Sequence, residues 1–220
     1  MKIKLLQDRI GVATVYTGYY TARGRTIYDF HAWIRKIENA VAENMRVVEF
    51  AKLFEEQCRN NFDQFGQLVM KGHFHDQIAN SQPLFGFLVC GHDDGDPKAY
   101  EVIIRWNGGI DVSRRELAAT EGILCHSVGR NTRIMEALSG SGDAYDNIAA
   151  WTSGSLGKFL KRGNLTTDET SGVCAGLIRL EAELCPEAVG PPFRVLSLVA
   201  GKPAEMRIYN SELCRSVACG

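Results

Sequence analysis

Seven side chains in the first half of the chain could bind a metal: His73, His75, Asp76, His92, Asp93, Asp94 and Asp96. An His-x-His on a strand puts two imidazoles on one face, and neighbouring carboxylates could complete a site. The simpler reading is a turn, because His92 to Pro97 (HDDGDP) has the composition of a hairpin connection, so no metal is expected. Cys125 and His126 suggest a thiol and its base, but adjacent residues on a strand face opposite ways. Gly140-Ser141-Gly142 ahead of a helix could begin a phosphate-binding turn. Tyr145 stands where that fingerprint needs its third glycine, and Asp143 sets negative charge where the phosphate would sit. No cofactor is expected.

Those residues need a scaffold, and the clearest part of it is Pro83 to Val112. Two apolar runs, Leu84 to Cys90 and Ala99 to Ile104, flank the acidic turn, and Asn107-Gly108-Gly109 closes the second. That pattern is a hairpin or meander. Neither run alternates strictly with polar residues, so the sheet is expected to be covered on both faces. Upstream, Leu5–Leu6 and Ile10–Val15 read as short strands around Gln7-Asp8-Arg9, ending at Gly18. Ala22 to Val41 reads as a helix with Ile27, Phe30, Ile34, Ile37 and Val41 on one face. Asn44 can cap a second helix, Arg46 to Phe62, whose buried stripe is Val47, Ala51, Phe54, Cys58 and Phe62. Gln67 to Gln82 reads as a strand plus a loop, and Glu121 to Val128 as a strand.

Downstream, a helix from Asp143 to Leu160 carries Gly154 and Gly157, which predict a kink. Asp168 or Thr167 can cap a further helix to Leu184. Phe193 to Ala200 and Ala204 to Tyr209 form a closing strand pair. Strand groups separated by helix pairs point to a layered α+β domain. One domain is expected over residues 1–210, with a loose tail from 211 to 220.

Composition narrows the function classes. The 220 residues are 45% hydrophobic and 23% charged, with a net charge of −1. Near-neutral charge argues against a nucleic-acid binder held by phosphate neutralisation. No apolar run approaches the roughly 20 residues of a membrane-spanning helix. Seven scattered cysteines without a C-x-x-C pair, and no visible signal peptide, read as reduced thiols in a cytoplasmic protein.

Four stretches together resemble the proteasome β-subunit type of N-terminal nucleophile hydrolase. They are Lys4-Leu5-Leu6-Gln7-Asp8 running on to Thr17-Gly18; the predicted helix pair of 22–62; Phe85 to Asp111; and Ser139-Gly140-Ser141-Gly142 with its helix. The resemblance implies a four-layer αββα sandwich, N-terminally incomplete, and a self-compartmentalising ring that takes peptide or protein substrates. It matches Lys4 (or Lys2, if the register slips by two) to the family's catalytic lysine. It matches Gly18 to the oxyanion-hole glycine and Ser141 to the serine that orients the nucleophile's amine. Where the family brings an orienting aspartate, this chain reads Cys185-Pro186-Glu187. The resemblance puts the first two strands and the threonine nucleophile ahead of Lys2. A hydroxyl needs an adjacent base to attack near neutral pH, so the expectation is a threonine-peptidase relative that is inactive in this form. The alternatives are a non-catalytic assembly subunit and an unrelated small-molecule-binding α/β domain. Apart from the resemblance, Lys4 reads as a charge on an edge strand and Ser141 as a neighbour of a helix cap.

Overall fold

The computed structural model describes residues 3–15, 19–22, 25–29, 34–35, 37–39, 42, 44–60, 72, 75–81, 83–117, 132–161, 163–184 and 193–209. The chain divides into two compact units. The first is Met1–Ala118 with Leu198–Ala204, and the second is Ala119–Ser197 with Glu205–Gly220. Both mix or adjoin helix and strand, so the class is α+β.

The first unit is built on a five-stranded antiparallel sheet in the order β1-β2-β5-β6-β7. Its strands are β1 (Ile3–Leu6), β2 (Ile10–Val15), β5 (Phe85–Asp93), β6 (Asp96–Trp106) and β7 (Ile110–Glu116). Register pairs Val12 with Val89, Val89 with Tyr100, and Tyr100 with Glu116. Side chains alternate across a strand, so Leu6, Val12, Phe85, Phe87, Val89, Tyr100, Val102, Ile104 and Val112 share one face. Helix α1 (Val47–Asn60) lies on it, burying Val47, Phe50, Ala51, Phe54 and Cys58. Phe54 meets Phe87 edge-on at 4.5 Å between ring centroids, a favoured aromatic geometry. Ile34 and Ile37 complete this core.

The opposite face is more mixed than a doubly covered sheet. Leu5, Ala13, Leu88, Cys90 and Ala99 are half-buried there, while Ile103 and Glu101 are buried. Glu101 is held by Arg115 at 2.8 Å, its direct partner across the β6–β7 ladder.

Two sequence expectations fail in this unit. The helix expected over 22–41 gives way, in its first part, to a hairpin of β3 (Tyr19–Ala22) and β4 (Arg25–Asp29). Thr21, Thr26, Ile27 and Tyr28 are β-branched or aromatic, and local strand preference wins over an apolar spacing that also fits 3.6 residues per turn. Helical residues appear only at 34–35 and 37–38 of that stretch among those described. The strand expected within 67–82 is instead a short helix, α2 (His75–Ala79), over its described part. The meander matches its sequence reading, but its strands run further into the turn. His92 pairs with Pro97 and Asp93 with Asp96, leaving Asp94 and Gly95 as the two-residue loop. Both have positive φ, 54° and 91°, as this turn type demands.

The second unit packs α3 (Thr132–Leu138), α4 (Asp143–Trp151), α5 (Ser155–Leu160) and α6 (Thr167–Leu184) around Ala137, Ala144, Ile148, Leu156, Val173, Leu177 and Leu180. The helix expected over 143–160 is broken at Thr152–Gly154, where Gly154 takes a left-handed φ of 82°. The closing hairpin is β8 (Phe193–Ser197) with β9 (Glu205–Tyr209). Helix α6 opens on a capping box. The Glu169 amide donates to the Thr166 hydroxyl at 3.1 Å, and the Thr166 amide donates to the Glu169 carboxylate at 2.8 Å. Thr166 therefore caps this helix, rather than Thr167 or Asp168.

Candidate functional site

Some of the residues proposed from sequence fall among the described ones. Lys4 lies on β1 opposite Val12, on the face turned toward the core. Its ammonium is bonded to the Glu38 carboxylate, and both side chains are partly exposed. Ser141 belongs to the second unit and is exposed, between Gly140 and Gly142 at φ 84° and 87°. Gly142, with no side-chain cap, starts α4. Asp143 and Asp146 fill the first turn of that helix, a charge arrangement that suits the helix dipole and opposes phosphate. Gly18, Lys2, His73 and Glu187 lie outside the described residues, as do Cys125 and His126.

The acidic turn read as a possible metal site has a different role. Asp93 is 5% exposed. The Val47 amide donates to its Oδ1 at 2.6 Å, and the Val48 amide to its Oδ2 at 3.3 Å. These are first-turn amides of α1, which have no partners within the helix. A carboxylate there also meets the positive end of the helix dipole. Glu49 adds the local half of the cap, accepting from the Arg46 amide at 2.9 Å. Asn44, the expected cap, takes a left-handed φ of 67°. The close approach has a second requirement. A Cβ on Gly91 would stand 2.8 Å from the Arg9 carbonyl oxygen and 2.8 Å from Val47 Cγ2, so glycine lets β5 pass under the helix start. Among the described residues no group of three His, Cys, Asp or Glu side chains is placed to hold a metal.

Two of the three described thiols, Cys58 and Cys90, are unsuited to nucleophilic work. Burial pushes the Cys58 thiol far above its ordinary range, with the Glu55 charge adding to it. Burial also pushes Cys90 up to about 11, only partly offset by its contact with the Gly11 carbonyl at 3.7 Å. The thiolate is the reactive form, and neither side chain supplies it at neutral pH.

A concavity of about 110 Å³ in the first unit was not foreseen from sequence. It is lined by Asp8, Arg9, His92 and the segment Leu198–Lys202. The β1–β2 turn shapes one wall. Gln7 and Asp8 have φ of 49° and 54°, and the Arg9 amide closes the turn on the Leu6 carbonyl at 3.1 Å. That turn is tied down twice, by Gln7 Nε2 donating to the Ala42 carbonyl at 3.0 Å and by the Arg9 guanidinium donating to the Met45 carbonyl. The far wall is a second turn, closed by the Lys202 amide on the Val199 carbonyl at 3.1 Å. Its three segments lie 83 and 106 positions apart in sequence, from Arg9 to His92 and from His92 to Leu198, which is why spacing alone gave no sign of it.

No family model matches this chain, and no curated protein matches it. No described helix is long and apolar enough to cross a membrane.

Proposed function

We propose that this chain is a proteasome-like subunit that forms part of the wall of a self-compartmentalising assembly and contributes no peptidase activity of its own in this form. The observation that supports this reading is the chain path of the first unit. A hairpin leads into a helical segment, the chain returns to set β5 beside β2, and β6 and β7 extend the sheet. Helices and a closing hairpin then follow, although the first helix of the pair that the resemblance implies is in its first part the β3–β4 hairpin. The same reading takes the subunit to be cytoplasmic and the ring to be made of copies of this chain.

Sedimentation velocity of the purified chain tests the proposal. It expects a discrete multi-subunit species at micromolar concentration, and a stable monomer would overturn it. Fluorogenic peptides are expected to remain uncleaved. Turnover that survived Lys4→Ala would contradict both the assembly role and the assignment of Lys4.

A further inference from the structure

We infer that the concavity at the β1–β2 turn is a binding site for a small protonated oxyanion, of which hydrogen phosphate is the simplest. Three residues with cationic or proton-bearing side chains, from three separate segments, line it: Arg9, His92 and Lys202. Arg9 is held in place through the Met45 carbonyl. A guanidinium carries five N–H donors, so that bond leaves donors for a ligand. Among the described residues no side-chain partner is found for the Lys202 ammonium or the His92 imidazole. The volume, about 110 Å³, equals that of three or four waters at roughly 30 Å³ each, which suits an anion with four oxygens.

Asp8 sets the selectivity. It lines the same concavity, and an ionised carboxylate can only accept hydrogen bonds. It repels a fully ionised anion but accepts from the P–OH of a hydrogen phosphate. Arg9 and Lys202 against Asp8 leave one net positive charge on the lining, before His92 is counted. The site therefore attracts an anion and favours one that keeps a proton.

Isothermal titration calorimetry of sodium phosphate into the full chain, at constant ionic strength set with chloride, tests this. Saturable binding is expected, about tenfold weaker in the exposed-lysine variant Lys202→Ala. Sodium sulfate is expected to bind at least tenfold more weakly than phosphate, and Asp8→Asn is expected to close that gap. Absence of saturable binding, binding unchanged by Lys202→Ala, or equal affinity for sulfate and phosphate in the unmodified chain would each overturn the inference.

Discussion

Asp93 in the first unit and Glu181 in the second do the same work with different completeness. Each caps a helix whose start lies far away in sequence, 46 residues for Asp93 and 48 for Glu181. Asp93 gives one oxygen to each of two amides. Glu181 gives a single oxygen to both, the Arg133 amide at 2.6 Å and the Ile134 amide at 3.1 Å at the start of α3. Among the described residues its Oε2 is buried without a partner, on a residue 2% exposed. Desolvating an ionised oxygen is costly unless hydrogen bonds replace the lost water. Asp93 meets that condition with both oxygens and Glu181 with one. The comparison teaches that a remote cap is worth what its second oxygen finds.

Substitution separates the two. Asp93→Ala leaves the Val47 and Val48 amides unpartnered at a buried helix start, and is expected to cost about 3 kcal/mol. Asp93→Asn keeps one acceptor and is expected to cost about half as much. Urea unfolding measures the loss, and hydrogen exchange at the Val47 and Val48 amides localises it. In the second unit Glu181→Ala is expected to cost about 1–2 kcal/mol, since it also strips two amides. Glu181→Gln keeps the working acceptor and removes the charge on the stranded oxygen. It is expected to be neutral within about 0.5 kcal/mol, or stabilising. If Glu181→Gln cost as much as Asp93→Asn, the contrast would collapse, because Oε2 would then have to be satisfied in solution.

The smallest effect sharpens the contrast with a cap that is both local and exposed. Glu169 is held well below its ordinary 4.5, to about 2, chiefly by the Lys158 ammonium at 2.7 Å and then by the Thr166 amide. A carboxyl lowered on folding contributes stability that is fully present above its unfolded value and fades as pH falls through the folded one. The contribution should therefore disappear between about pH 4.5 and 2. Glu169→Gln, which still accepts from Thr166, is expected to flatten the acid dependence of the unfolding midpoint in that window. An unchanged pH profile would show that the Lys158 contact does not persist in solution.

What could be read from sequence follows from how far each interaction reaches. The meander was legible because Leu84–Cys90, Ala99–Ile104 and the turn between them are neighbours in the chain. The stripe of α1 was legible from its period at Val47, Ala51, Phe54 and Cys58; Phe50 widens the apolar face, and Phe62 lies outside the described residues. The capping box of α6 was available in Thr166-Thr167-Asp168-Glu169, where threonine and glutamate stand three apart. Asp93 and Glu181 could not be found this way, since nothing around Val47 or Arg133 shows which distant carboxylate arrives. The misread stretch at 22–29 fits both periods, and pairing between Tyr20 and Tyr28 decided it. Of the residues that the resemblance implied, Lys4 has a described partner in Glu38, and Ser141 an exposed glycine-flanked turn.

The order β1-β2-β5 carries a consequence in time. The chain emerges from the ribosome at about 5–20 residues per second, and β2 must wait for Gly86–Cys90 before it gains its second neighbour. Through those seconds β2 has β1 alone, and a two-stranded hairpin is marginal in water. Helix α1 waits as well, because Asp93 closes its first turn only at the far end of β5. One arriving strand thus completes both the sheet and the helix. Until that strand arrives, the apolar faces of β2 and α1 stand as unfinished surface.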